Sequence, residues 1–177
     1  MPTLREMLSQ IQNIQYTSPE ILVEKTVAHE LAATFGIRGA ITCSSRLDGL
    51  RGTLKVGVVK DRKRWKTIHH SLADNHWMLV RATQDTGVEL LASQPHLLYY
   101  LSTLVTEEWA NLPVESLAEG KIAHPTFPGI RPLYDMFLTQ HARTVKDFDR
   151  PKYFKELARL GFSHAEVNGL AFPVPFE

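Results

Sequence analysis

Arg131 and Asp135 stand four residues apart on an apolar run, Arg131 to Leu138, that reads as a β-strand. Residues at that spacing share one face of a strand, so a guanidinium and a carboxylate would point the same way. Such a pair can hold two sugar hydroxyls through charge-assisted hydrogen bonds, or it can be a structural salt bridge at a sheet edge. More polar groups follow close by. Thr139-Gln140-His141-Ala142-Arg143 comes directly after the run, and Glu166, Val167 and Asn168 end a second strand-like run, His164 to Leu170. In a β/α barrel, side chains at the C-terminal ends of strands line the functional mouth. Arg131, Asp135, His141, Arg143 and Asn168 are therefore the candidate substrate-binding residues.

Other chemistry-bearing patterns fail on inspection. His29-Glu30-Leu31-Ala32-Ala33 begins like a zinc-protease helix, but the second histidine would have to occupy Ala33. His69, His70, Asp74 and His76 are the densest group of ligand types, yet neighbouring side chains on extended chain point apart and no closed ligand set is evident. Cys43, the one cysteine, excludes an intramolecular disulfide and any multi-cysteine zinc site, which suggests a reducing compartment. With no motif around it, Cys43 reads as a small buried or half-buried side chain. Lys60-Asp61-Arg62-Lys63-Arg64-Trp65-Lys66 has basic residues with an aromatic among them, a pattern able to grip phosphates, but it reads first as a solvated loop. No phosphate-cradling glycine loop is present, and no metal or cofactor is expected.

The elements that must position these residues follow from periodicity. Leu4, Leu8, Ile11 and Ile14 predict a first helix, and Ser18-Pro19-Glu20 reads as the start of a second, whose face Val23, Val27, Leu31 and Phe35 ends at Gly36. Thr53 to Val59 alternates as a strand. His76 to Ala82 and Val88 to Ala92 predict a hairpin, and Pro95 opens a helix running to about Trp109. This order fits an α+β fold, a small sheet with helices on one face. Between Asn111 and Gly129 prolines and glycines interrupt both periodicities, placing a linker there and dividing the chain into residues 1–124 and 125–177. Within the second part, Asp149 to Leu160 predicts an amphipathic helix closing on Gly161. The part is then a single strand–helix–strand unit, as at the start of a TIM barrel.

Chain length, 44% hydrophobic content and 22% charge are ordinary for a globular protein, and a net charge of +1 supplies no global field for nucleic acid or an acidic membrane. The N-terminal residues form neither a signal peptide nor a span, so a cytoplasmic location is expected, with no nucleic-acid or membrane partner.

GIRPLYDMFLTQHART followed by DRPKYFKELARLGFSHAEVNGLAFP resembles the opening of the catalytic barrel in β-N-acetylhexosaminidase-type and α-glucuronidase-type glycoside hydrolases. Upstream, HWMLVRATQDTGVELLASQPHLLYYLSTLVTEEW is similar to their non-catalytic N-terminal α/β domain. The resemblance covers about residues 19 to 177. It implies that Arg131 holds the sugar's hydroxyls and that Asp135 is the acid following on the same strand, with Pro132 where the family usually has glycine. Such enzymes need a carboxylate pair flanking the scissile bond, carried on later barrel strands. The expectation is thus the non-catalytic N-terminal portion of a glycoside hydrolase-like protein, inactive alone, with carbohydrate as its partner and an apolar edge open to self-association. The alternative is a self-sufficient binding or interaction domain.

Overall fold

Strands that are apolar on both faces must be covered on both, and the architecture follows from that demand. The computed structural model describes residues 1–44, 51–70, 72, 76–82, 87–126 and 147–163. The chain divides into two compact units, Met1–Thr126 and Phe127–Glu177. In chain order the first unit contains α1 (Leu4–Ser9), β1 (Asn13–Tyr16), α2 (Leu22–Phe35), β2 (Ile41–Cys43), β3 (Thr53–Val58), α3 (Arg62–Ile68), β4 (Met78–Ala82), β5 (Val88–Ala92), α4 (Pro95–Thr106), a 3-10 turn (Val114–Leu117) and β6 (Lys121–Ala123). The six strands form one mixed sheet in the order β2-β1-β3-β5-β4-β6. Neighbours from β2 to β5 run parallel, while β4 is antiparallel to both β5 and β6. The α+β class is as the sequence reading gives it.

Register assigns the two faces. Leu54, Val56 and Val58 line up with Val88, Leu90 and Ala92, and these with Ala82, Val80 and Met78. The face they share is covered by α2 and α4, which pack on each other. Val27, Leu31, Phe35, Leu98, Leu101 and Val105 of these helices are all buried, and the Tyr99 hydroxyl donates to the Glu30 carboxylate at 2.8 Å. On the opposite face Leu79 and Leu91 join Val59, Trp65, Leu72 and Trp77 in a second apolar cluster, which adds α3 to that side of the sheet.

Several local readings are corrected. The helical spacing of Leu4, Leu8, Ile11 and Ile14 ends early: α1 stops at Ser9, and Ile14 lies in β1, fully buried between Ile41 and Leu54. Pairing with strands on both sides outweighs a local spacing that Gln12 and Asn13 do little to support. Ser18 does not cap α2; Ile21 holds that position, and Pro19 and Glu20 lie in a turn before it. At its other end α2 closes on left-handed Gly36, φ 68°, as its sequence predicts. The basic segment is a helix and not a loop, capped by Asp61, whose carboxylate accepts from the Lys63 N–H at 2.9 Å. Residues 111–123 belong to the first unit: β6 pairs with β4, the Leu4 N–H donates to the Leu112 carbonyl, and the Val114 N–H to that of Pro2. Three-residue strands carry too little periodicity to be read from sequence. Cys43 is exposed at the end of β2, because β2 forms the edge of the sheet.

In the second unit, α5 (Arg150–Arg159) is capped by Asp149, which accepts from the Lys152 N–H at 3.0 Å. It ends at Gly161, φ 87°, with the Phe162 N–H donating to the Leu157 carbonyl. The strands expected at 131–138 and 164–170 lie outside the described residues.

The second cluster separates two tryptophans. Trp65 donates its Nε1–H to the Val59 carbonyl at 2.7 Å, whereas the Nε1–H of Trp77, fully buried, has no partner among the described residues. Both lose ring volume on replacement by phenylalanine, but only Trp65→Phe orphans a buried carbonyl. Urea denaturation should show Trp65→Phe less stable than Trp77→Phe by about 1–3 kcal/mol; equal losses would remove the Val59 bond from the account.

Candidate functional site

Arg131, Asp135, His141, Arg143 and Asn168, together with Glu166, lie outside the described residues. Among those described, the chemistry-bearing side chains gather at two places on the sheet of the first unit.

The first is Glu24, in the opening turn of α2 and wholly buried. It falls on the same helical face as Val27 and Leu31, which carries it against the sheet. Its Oε2 accepts the N–H groups of Thr17 (2.8 Å) and Ser18 (2.6 Å), and its Oε1 accepts the N–H of Val58 (2.7 Å). The Thr17 hydroxyl adds a fourth donor, 2.9 Å from Oε1. These donors sit at the C-terminal end of β3 and just past that of β1. In open parallel sheets that edge is where ligands usually bind; here the protein's own carboxylate takes it. Gly57 is needed beside it, since a Cβ there would come within 2.7 Å of the Thr17 methyl.

The second place is a row of charge across three strands. Register sets Lys55 of β3 opposite Glu89 of β5, and Glu89 opposite Arg81 of β4. Lys55 Nζ lies 3.8 Å from Glu89 Oε1, and Arg81 donates through Nε (2.8 Å) and Nη2 to Oε2. Arg81 Nη1 also donates to the Ile68 carbonyl at the end of α3, 3.1 Å away. Lys55 and Glu89 are 2% and 5% exposed, so the ions are largely removed from water and depend on one another.

Asp74 lies outside the described residues, and the described histidines form no centre. His69 and His70 stack with ring centroids 4.4 Å apart, and His124 Nδ1 lies 3.2 Å from the His76 carbonyl. Burial, then His70 and Arg81, hold the His69 imidazole below its ordinary value, with Glu119 opposing. No group of three His, Cys, Asp or Glu side chains among the described residues is placed to hold a metal ion. His29 is an exposed helix residue.

A general acid or base must exchange its proton with a bound molecule. Glu24 and Glu89 are buried, and their oxygens accept from the protein's own donors, so both serve the framework. No protein-family model matches the chain, and no curated protein matches it significantly.

Sequence reading passed over both sites, although each leaves a signal. Glu24 interrupts an apolar helix face, and each of TLKVGV, MLVRA and VELLA carries one charge in an otherwise apolar strand. Charges of opposite sign at such positions invite a cross-strand pair.

Glutamine at position 24 would keep the size of the side chain but set an NH2 where one carboxylate oxygen accepts, facing a buried N–H. Glu24→Gln should cost about 3 kcal/mol in denaturant unfolding. A loss under about 1 kcal/mol would mean that the clamp is weaker than a set of charge-assisted bonds.

Proposed function

We propose that the chain is the N-terminal, non-catalytic portion of a glycoside hydrolase-like protein of carbohydrate metabolism, acting in the cytoplasm. The first unit is its accessory α+β domain, and the second opens the β/α barrel. The observation that carries the non-catalytic reading is the occupation of the two carboxylates buried among the described residues: Glu24 by backbone and hydroxyl donors, Glu89 by Lys55 and Arg81. What supports the barrel reading is the resemblance of residues 129–144 and 149–173, together with a helix capped at Asp149 and closed at Gly161. Sugar contacts then belong to Arg131, Asp135, His141, Arg143 and Asn168, and the remainder of the pocket to later strands and their loops. An open apolar strand edge in the second unit would favour self-association.

The 177-residue chain should hydrolyse neither aryl N-acetylhexosaminides nor aryl glucuronides, and should bind the corresponding monosaccharides weakly. Titration followed by NMR should show Arg131→Ala abolishing that binding while the melting temperature stays within about 2 °C, as expected if its guanidinium serves the sugar. Hydrolysis by the isolated chain would overturn the non-catalytic reading. An Arg131→Ala chain that loses stability and sugar binding together would make the Arg–Asp pair a structural bridge, and a complete lack of sugar binding would favour the interaction-domain alternative.

A further inference from the structure

α3 carries its charges against the local rules. Lys60, Arg62, Lys63, Arg64 and Lys66 are all exposed, and none of them pairs with a carboxylate among the described residues. Asp61, the acid in their midst, is turned to the Lys63 N–H as the helix cap. Arg62 and Lys63 lie in the first turn, where the helix dipole disfavours cations, and Lys66 follows them at i+4 and i+3, where like charges repel. In a chain whose formal charge is only +1, this is a local concentration and not a reflection of overall composition. The helix stays in place because its other side is anchored: Trp65 is buried in the second cluster, Ile68 packs against that cluster, and the Arg62 guanidinium lies 5.8 Å from the Trp65 ring centroid.

We propose that the outer face of α3 is a docking surface for an acidic polysaccharide, a chain bearing carboxylate or sulfate groups. Unpaired cations on a rigid support offer charge complementarity to a polyanion and lose repulsion when it binds. Three observations narrow the class. Trp65 is 5% exposed and donates its ring N–H to the Val59 carbonyl, so it offers no platform on which a base could stack, as single-stranded nucleic-acid sites require. The exposed large apolar residues among those described are Met1, Leu22 and Leu160, none of them on α3, so the helix lacks the apolar side that would enter a membrane interface. The basic run spans about 10 Å of helix, room for a short flexible stretch of polyanion, and with a pI near 7.9 the chain lacks the broad basic footprint of duplex-binding domains. The surface belongs to the first unit and does not depend on the Arg131 subsite.

The test uses the intact chain, with heparin as the acidic polysaccharide, dextran as the neutral one, a 20-bp DNA duplex, and vesicles of phosphatidylcholine and phosphatidylserine. Heparin should bind and dextran should not. The triple variant Arg62→Gln, Lys63→Gln, Arg64→Gln should weaken heparin binding about tenfold and lower the salt slope of its affinity by about two. A charge-matched control, Lys25→Gln, Arg38→Gln, Lys152→Gln, should change it less than about twofold. Thermal melts confirm that both variants fold. Equal losses in the two variants, or no heparin binding at low salt, would overturn the proposal. Tighter binding of the duplex or the vesicles than of heparin, lost in the same α3 variant, would also overturn it by assigning the surface to another class of partner. Because the readout sits on α3, its failure is distinguishable from failure of monosaccharide binding at Arg131.

Discussion

Everything at the C-terminal edge of the parallel strands depends on one buried carboxylate. Glu24 gathers the N–H groups of Thr17, Ser18 and Val58 and the Thr17 hydroxyl around its two oxygens. A parallel pair such as β1 and β3 leaves backbone donors at its edge that no further strand residue will satisfy, and burying them unpaired would cost each about 1–3 kcal/mol. One side chain from α2 answers several at once, and in doing so fixes where the helix begins relative to the sheet. Ile21, not Ser18, holds the α2 cap; the Ser18 N–H is turned to the Glu24 carboxylate and the Ser18 hydroxyl accepts the Glu20 N–H.

The same economy accounts for the second buried carboxylate of the described residues, Glu89. Among the described residues, Glu24 takes up donors at the strand ends, and the Lys55–Glu89–Arg81 row spans three strands on one face. A buried ionic row contributes modestly to net stability because its desolvation is costly, but it disfavours other registers. Slipping β5 by one residue would send Glu89 to the α2 and α4 side, among Leu54, Val56 and Val80, and leave Arg81 and Lys55 facing apolar neighbours.

Opposite sides of α3 follow different rules. Toward the sheet, Trp65 is buried against Trp77 with ring centroids 5.8 Å apart in an edge-to-face arrangement, and this holds a helix of seven residues that is too short to persist alone. Toward water, the helix is free to concentrate positive charge, because its stability comes from the packed side. That division lets a short segment bear like-charge repulsion without unravelling.

Periodicity by itself determined the longer elements: α2 with its Gly36 end, the β4–β5 hairpin, α4 from Pro95, α5 from Asp149 to Gly161, and with them the α+β class. In each, apolar residues recur at one period over the length of the element, so a linear pattern suffices. Tertiary structure alone decided β1, β2 and β6, strands of three or four residues that exist because a neighbouring strand supplies their hydrogen bonds. It also made Arg62–Lys66, expected as loop, part of a helix, since the cover that Trp65 finds includes Leu79 of β4 and Leu91 of β5, far along the chain. The two charged sites depended on it most: nothing in the order of residues says that Glu24 will meet Val58, or that Lys55, Arg81 and Glu89 will share a row, because those meetings are set by strand order and register, which long-range packing fixes.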